Sequence, residues 1–228
     1  MKSYNSYADT ANRLSEHFDW ASGPKDKKAI MLRSLRDTCK DCIMCHLGRE
    51  NHIRNYEKVD PHVFSNMQIS KIMIIGQNPG YNECLKDEPF VGDAGDNFNK
   101  GLARYGLSRK DLYITNLLKC LTPDNRKPES DEVKRCQHFL HMELLILRPS
   151  IVVSLGASSF EWLCPEHKYG DRLGKLTYSP VIEKKIFAVY HPSPRNLSTR
   201  QAQFDKQMKL MCGLIKHFNS AQDYNQSC

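Results

Sequence analysis

The sequence predicts an α/β fold, a central four-stranded parallel sheet with helices on both faces. From Lys71 onward, short apolar runs alternate with segments of helical spacing, the pattern of parallel strands joined by crossover helices. The chain then closes on Phe204, Met208, Met211, Ile215 and Phe218, a stripe at helical spacing suited to packing on that sheet. No internal repeat, low-complexity tract or Pro/Gly-rich linker interrupts the 228 residues, which therefore read as one α/β unit with a helical addition.

Taken in order, residues 9–20 and 25–37 read as two helices. They form an N-terminal extension, assigned to residues 1–38, ahead of a domain spanning 39–228. The first strand is KIMIIG (71–76), followed by a helix near 94–106. LYITNLL (112–118) is the second strand, and residues 130–147 the next helix. SIVVSLG (150–156), a helix over 156–163 and the strand KIFAVYH (185–191) complete the pattern. Ser198 is expected to cap the final helix.

Composition excludes several classes. No apolar run approaches the ~18 residues of a membrane helix, and the start has no apolar h-region behind a basic one, so a cytoplasmic protein without membrane contact is expected. Net charge is +7, from 33 basic and 26 acidic residues. Lys184, Lys185, Arg195, Arg200, Lys206, Lys209 and Lys216 face only Asp205 within residues 184–216. This concentration suggests a polyanionic partner on one side of the protein, although a solvated basic face has the same composition.

In parallel α/β sheets the ligand lies beyond the carboxyl ends of the strands. There the chain places Gly76-Gln77-Asn78-Pro79-Gly80, then Thr115-Asn116, then His191-Pro192-Ser193-Pro194-Arg195-Asn196. Two asparagines and a histidine are expected to meet in one cleft. Neither a Ser/His/Asp triad nor a GxxxxGK[ST] loop is present, which argues against acyl transfer and ordinary nucleotide hydrolysis. Polar readers of a small flat ligand fit better.

Nine cysteines is an odd and large number for a chain expected inside the cell, which argues against a disulfide framework and for metal or cluster ligation. Cys39, Cys42 and Cys45 form a CxxCxxC run, while Cys120 and Cys136 have fifteen residues between them. Four thiolates can hold tetrahedral zinc or a cubane iron–sulfur cluster. Cys84, Cys164, Cys212 and Cys228 read as ordinary thiols.

Jointly and in order, these motifs resemble the uracil-DNA glycosylase superfamily, most closely its iron–sulfur branch, family 4. Cys42-Ile43-Met44-Cys45-His46-Leu47 with Arg49 is similar to its CxxCxL element, and GQNPG stands at its GEAPG motif. Pro89-Phe90-Val91-Gly92-Asp93-Ala94-Gly95 matches PFVGxAG. Tyr113-Ile114-Thr115-Asn116 with Lys119-Cys120 matches YITNxxKC, and His191-Pro192-Ser193 matches the closing HP motif. The resemblance covers roughly residues 39–217.

The resemblance implies a three-layer α/β/α sandwich that flips a pyrimidine out of DNA and hydrolyses its N-glycosidic bond without a lyase step. His191 would donate to the base O2, and Asn78 would orient the attacking water. Phe90 would stack on the base, Asn116 would read its Watson–Crick edge, the backbone amides at Gln77 would add contacts to its oxygens, and Glu83 would join the base-binding set. Arg195, Asn196 and Leu197 would enter or grip the duplex, with Arg126 and Lys127 on a second DNA-facing loop. Leu197 equally suits a hydrophobic staple of the last helix. Cys42, Cys45, Cys120 and Cys136 would hold a 4Fe-4S cluster, with structural zinc the alternative, and the protein would act on DNA as a monomer.

The first motif departs from the branch: Gln77 replaces its glutamate and Asn78 its small residue. Downstream, Cys84 replaces an aspartate and Asp87 a glycine. Uracil in DNA repair is the expected substrate. The alternatives are a modified pyrimidine, such as hydroxymethylated or glucosylated cytosine excised from viral DNA in antiviral defence, and a non-catalytic damage-sensing module.

Overall fold

Five strands form one sheet in the order β2-β1-β3-β5-β4. The structure is a computed structural model that describes residues 25–53 and 60–226; the helix expected over 9–20 lies outside them. The strands are β1 (Ile72–Gly76), β2 (Tyr113–Asn116), β3 (Ile151–Leu155), β4 (Leu176–Ser179) and β5 (Lys184–Val189). The first three and β5 run parallel, as expected, and β4 adds an antiparallel edge to β5. That fifth strand is absent from the expected four. Its pattern is inverted: Thr177 and Ser179 point inward, while Leu176 and Tyr178 are about half exposed.

The helices are α1 (Lys25–Lys40), α2 (His46–Ile53), α3 (Tyr81–Lys86), α4 (Asp93–Ala103), α5 (Ser130–Leu147), α6 (Ala157–Leu163), α7 (Tyr169–Arg172) and α8 (Pro194–Gln226). Strand alternation sends residues to two separate cores, because a central parallel strand is covered on both faces. In β1, Met73 and Ile75 join Leu32 of α1, Phe139 and Leu144 of α5 and Phe160 of α6. Ile72 and Ile74 face the other way, joining Phe98 of α4 and Phe204, Met208 and Ile215 of α8. The molecule is thus the three-layer sandwich the motifs implied. The α8 stripe behaves as expected: Phe204, Met208, Met211 and Ile215 are at most 1% exposed, each contributing about 1.5–3 kcal/mol relative to exposure.

The cap of α8 is corrected. The helix begins at Pro194, with the Ser193 carbonyl accepting the Leu197 N–H at 3.0 Å, so Ser193 rather than Ser198 occupies the cap position. Proline suits the first helical residue because its missing N–H would find no partner there. Ser198 instead donates its hydroxyl to the Arg195 carbonyl at 2.8 Å. The helix is kinked at Arg200 (φ −130°, ψ 21°).

Candidate base-binding site and cysteine centre

Parallel pairing aligns Gly76 with Asn116 at the carboxyl edge of the sheet. A cavity of about 390 Å³ opens there, and Gln77, Asn78, Glu83, Phe90, Asn116 and His191 all line it. The cleft expected from the strand ends is therefore present. Glycine is required at position 76: a Cβ there would stand 2.3 Å from Asn116 Oδ1 and 2.5 Å from the Phe90 ring. The side chain of Asn116 is buried, and its Oδ1 has no hydrogen-bond partner among the described residues. A buried acceptor left open at a cavity costs free energy unless a ligand donor fills it.

Phe90 sits at φ 54°, a region a bulky residue rarely adopts. Its loop is held from two sides. Arg109 donates to the Pro89 and Phe90 carbonyls at 2.6 and 2.7 Å and pairs with Glu88 at 2.7 Å. Glu83 accepts the amides of Gly80, Val91 and Gly92 at 3.1, 2.9 and 3.0 Å. Glu83 therefore lines the cavity with its carboxylate already engaged, holding the loop that carries Phe90.

The His191 ring lies 6.0 Å from that of Phe90, tilted by 41°. Asn196 Nδ2 donates to the His191 carbonyl at 3.1 Å, and Asn97 Nδ2 to the Pro192 carbonyl at 3.0 Å. Asn196, expected on DNA, thus braces the histidine loop. Gly156 at φ 99° allows β3 to turn beneath it, since a Cβ would come within 3.1 Å of His191 Cβ. Burial lowers the His191 pKa, with the Glu83 charge pulling the other way, which favours a neutral imidazole.

Gln77 Nε2 donates to Asn78 Oδ1 at 2.7 Å. Asn78 Nδ2 in turn reaches the Pro79 carbonyl at 2.9 Å and both Thr122 Oγ1 and Asn125 Oδ1 at 3.3 Å. Asn125 and Asp93 also line the cavity. Neither was among the residues expected there. The Asp124-Asn125 pair is a turn signal, and both residues adopt positive φ, but nothing local shows that the turn reaches a strand end 47 residues away.

The residues expected on DNA are placed variously. Arg195 is exposed in the first turn of α8, while Leu197 is half-buried against the core beside α8. Arg126 is bound to Glu132 at 2.6 and 3.0 Å, and Lys127 is exposed with Glu161 at 3.5 Å. The basic segment 184–216 is not one patch. Lys184 and Lys185 start β5, at the end of the sheet opposite the cavity, whereas Arg195 follows the carboxyl end of that strand. Nearness in sequence had merged two surfaces.

A second, small cavity is lined by Cys39, Cys42, Cys45, Cys120 and Cys136. Cys39 ends α1, Cys42 and Cys45 occupy the turn into α2, Cys120 follows β2, and Cys136 lies in the second turn of α5. Burial raises the thiol pKa values of Cys39 and Cys120, and that of Cys136 to about 12; neighbouring thiols push in the same direction. Such a set favours a cation that would stabilise thiolates. Among the described residues, His46, Glu129 and Glu132 are the trio whose ligand atoms all lie within 4.8 Å of one another. Arg126 already matches the Glu132 charge there.

A carboxyl-edge cavity with an aromatic wall, an amide oxygen open to a donor and a histidine whose burial disfavours its charged form suits a flat, hydrogen-bonding ring. Comparison with known proteins agrees. A family profile described as "Uracil DNA glycosylase superfamily" matches residues 64–212. The type-4 uracil-DNA glycosylase of Archaeoglobus fulgidus is 38% identical over 176 residues, covering 71% of this chain and 83% of that protein. That of Thermotoga maritima is 30% identical over 168 residues, covering 72% and 82%. The chain belongs to the uracil-DNA glycosylase superfamily. Among the described residues, no helix is long and apolar enough to cross a membrane.

Proposed function

We propose that the protein is a monofunctional DNA glycosylase that flips uracil out of DNA and hydrolyses its N-glycosidic bond, leaving an abasic site. The observation that carries this reading is the buried, unpartnered Oδ1 of Asn116 beside the Phe90 ring, a hydrogen-bonding and stacking environment matched to one pyrimidine. The bond from C1′ to N1 breaks with its electron pair leaving on the base. A neutral His191 N–H directed at O2 would stabilise that charge. Water oriented by Asn78, itself held by Gln77 and Asn125, would add to C1′ and pass its proton through solvent to the departing uracil anion, so that the products are neutral uracil and an abasic sugar.

Four of the five clustered thiols would hold a metal centre, and the motif spacing favours Cys42, Cys45, Cys120 and Cys136 for a 4Fe-4S cluster. Soft thiolates suit either structural zinc or such a cluster, and the resemblance of the motifs favours the cluster. Its contribution would be to tie α1, the end of β2 and α5 together, since glycosidic hydrolysis transfers no electrons.

The test is strand cleavage after alkali, on oligonucleotides carrying uracil, a thymine mismatch, hydroxymethylcytosine or its glucosylated form. Uracil cleavage is expected, falling about 100-fold or more in Asn78→Ala and His191→Ala. Cleavage confined to a modified cytosine would move the role to defence against viral DNA. DNA binding without cleavage of any substrate would contradict the enzyme reading in favour of a sensing module.

A further inference from the structure

Behind the base pocket lies a charged pair that the proposed chemistry does not use. Lys119 and Glu143 have side chains 1% and 0% exposed, and Lys119 Nζ donates to both Glu143 oxygens, at 2.9 and 2.8 Å. The same ammonium donates to the Asn116 carbonyl at 3.0 Å and to the Thr115 hydroxyl. Tyr113 donates its hydroxyl to Glu143 Oε1 at 2.8 Å, and Thr115 Oγ1 lies 2.8 Å from the same oxygen. The Phe64 ring, 5.1 Å from Nζ, closes the group off.

Strand alternation gives this arrangement its meaning. Tyr113 and Thr115 point to the face of β2 that meets Glu143 on α5, while Asn116 points to the other face, toward Gly76 and Phe90. Among the described residues no group holds Asn116 Oδ1, so that atom's position depends on the backbone from which the side chain hangs. That backbone is gripped from behind by Lys119 and, through Tyr113 and Thr115, by Glu143. The Lys119 N–H also donates to Cys136 Sγ at 3.3 Å, joining the grip to the cysteine centre.

We propose that Lys119 and Glu143 are a positioning pair that fixes the base-reading end of β2, setting discrimination among pyrimidines without touching DNA. This deepens the glycosylase reading and rests on it. A buried ion pair is poor value as a source of stability, because an apolar pair of similar volume is often as stable or more so. Fixed geometry is the use that fits these contacts.

The experiment compares the unmutated protein with Lys119→Met/Glu143→Leu, measuring the inhibition constant of free uracil and the ratio of uracil to cytosine cleavage. Neither quantity depends on how much of a preparation is active, so partial unfolding alone leaves both unchanged. The double variant is expected to bind uracil at least tenfold more weakly and to lower the cleavage ratio, while melting at a similar or higher temperature. Thr115→Val, which removes one link and keeps the charges, is expected to shift both in the same direction by a few-fold, and it decides the matter if the double variant does not fold. Unchanged inhibition and ratio in a folded variant would overturn the inference and leave the glycosylase reading intact. An unmutated protein that neither binds uracil nor cleaves would overturn both.

Discussion

Phe90 holds a backbone conformation that costs roughly 1–3 kcal/mol for a residue with a side chain, so its surroundings must over-determine it. Arg109 supplies much of that constraint by binding two successive carbonyls on the strained turn. Arg109→Ala should let the ring leave the cavity wall, weakening substrate binding about tenfold in KM with a smaller change in kcat. Arg109→Lys should restore little, because an ammonium cannot reproduce the fork. Steady-state kinetics on a uracil oligonucleotide checks both. The residues at or just past strand ends, Gln77, Asn78, Asn116 and His191, were legible in the sequence because the α/β pattern itself says where strands end. Arg109 and Asn125 were not, because each acts on a partner far along the chain, 19 residues for Arg109 and Phe90, and nothing local names that partner.

At the scale of elements, α3 shows how a departure from the family motif is accommodated. Asp87 ends that helix at φ 50°, a left-handed position that glycine occupies most readily and aspartate tolerates. In exchange its carboxylate takes Arg36 and Lys40 of α1, the latter at 2.7 Å, tying α1 to the helix whose Glu83 lines the carboxyl-edge cavity. Asp87→Asn keeps the left-handed preference and removes the charge. Its stability should fall by about 1 kcal/mol at low salt and by less at high salt, read from denaturant midpoints. Strand β4 was illegible for a complementary reason: an edge strand that buries threonine and serine presents an apolar pattern on the wrong face.

At the scale of the molecule, two cores separated by one sheet carry different duties. One side joins the cysteine centre, α1 and α5, and the other packs α4 and α8 behind Phe90 and the histidine loop. A parallel sheet covered by helices on both faces was readable from periodicity, whereas the distribution of charge was not, since β5 carries its lysines away from the cavity. If DNA lies across the carboxyl edge, Arg195→Ala should reduce the slope of log affinity against log salt by about one phosphate contact, and Lys185→Ala should leave it unchanged. The most direct test of the central claim is chromatographic detection of free uracil released from a uracil-containing oligonucleotide by the unmutated protein and by Asn116→Ala. Release by the unmutated protein, slowed about 100-fold or more in the variant, is the expected result; equal rates from both, or no uracil from either, would contradict it.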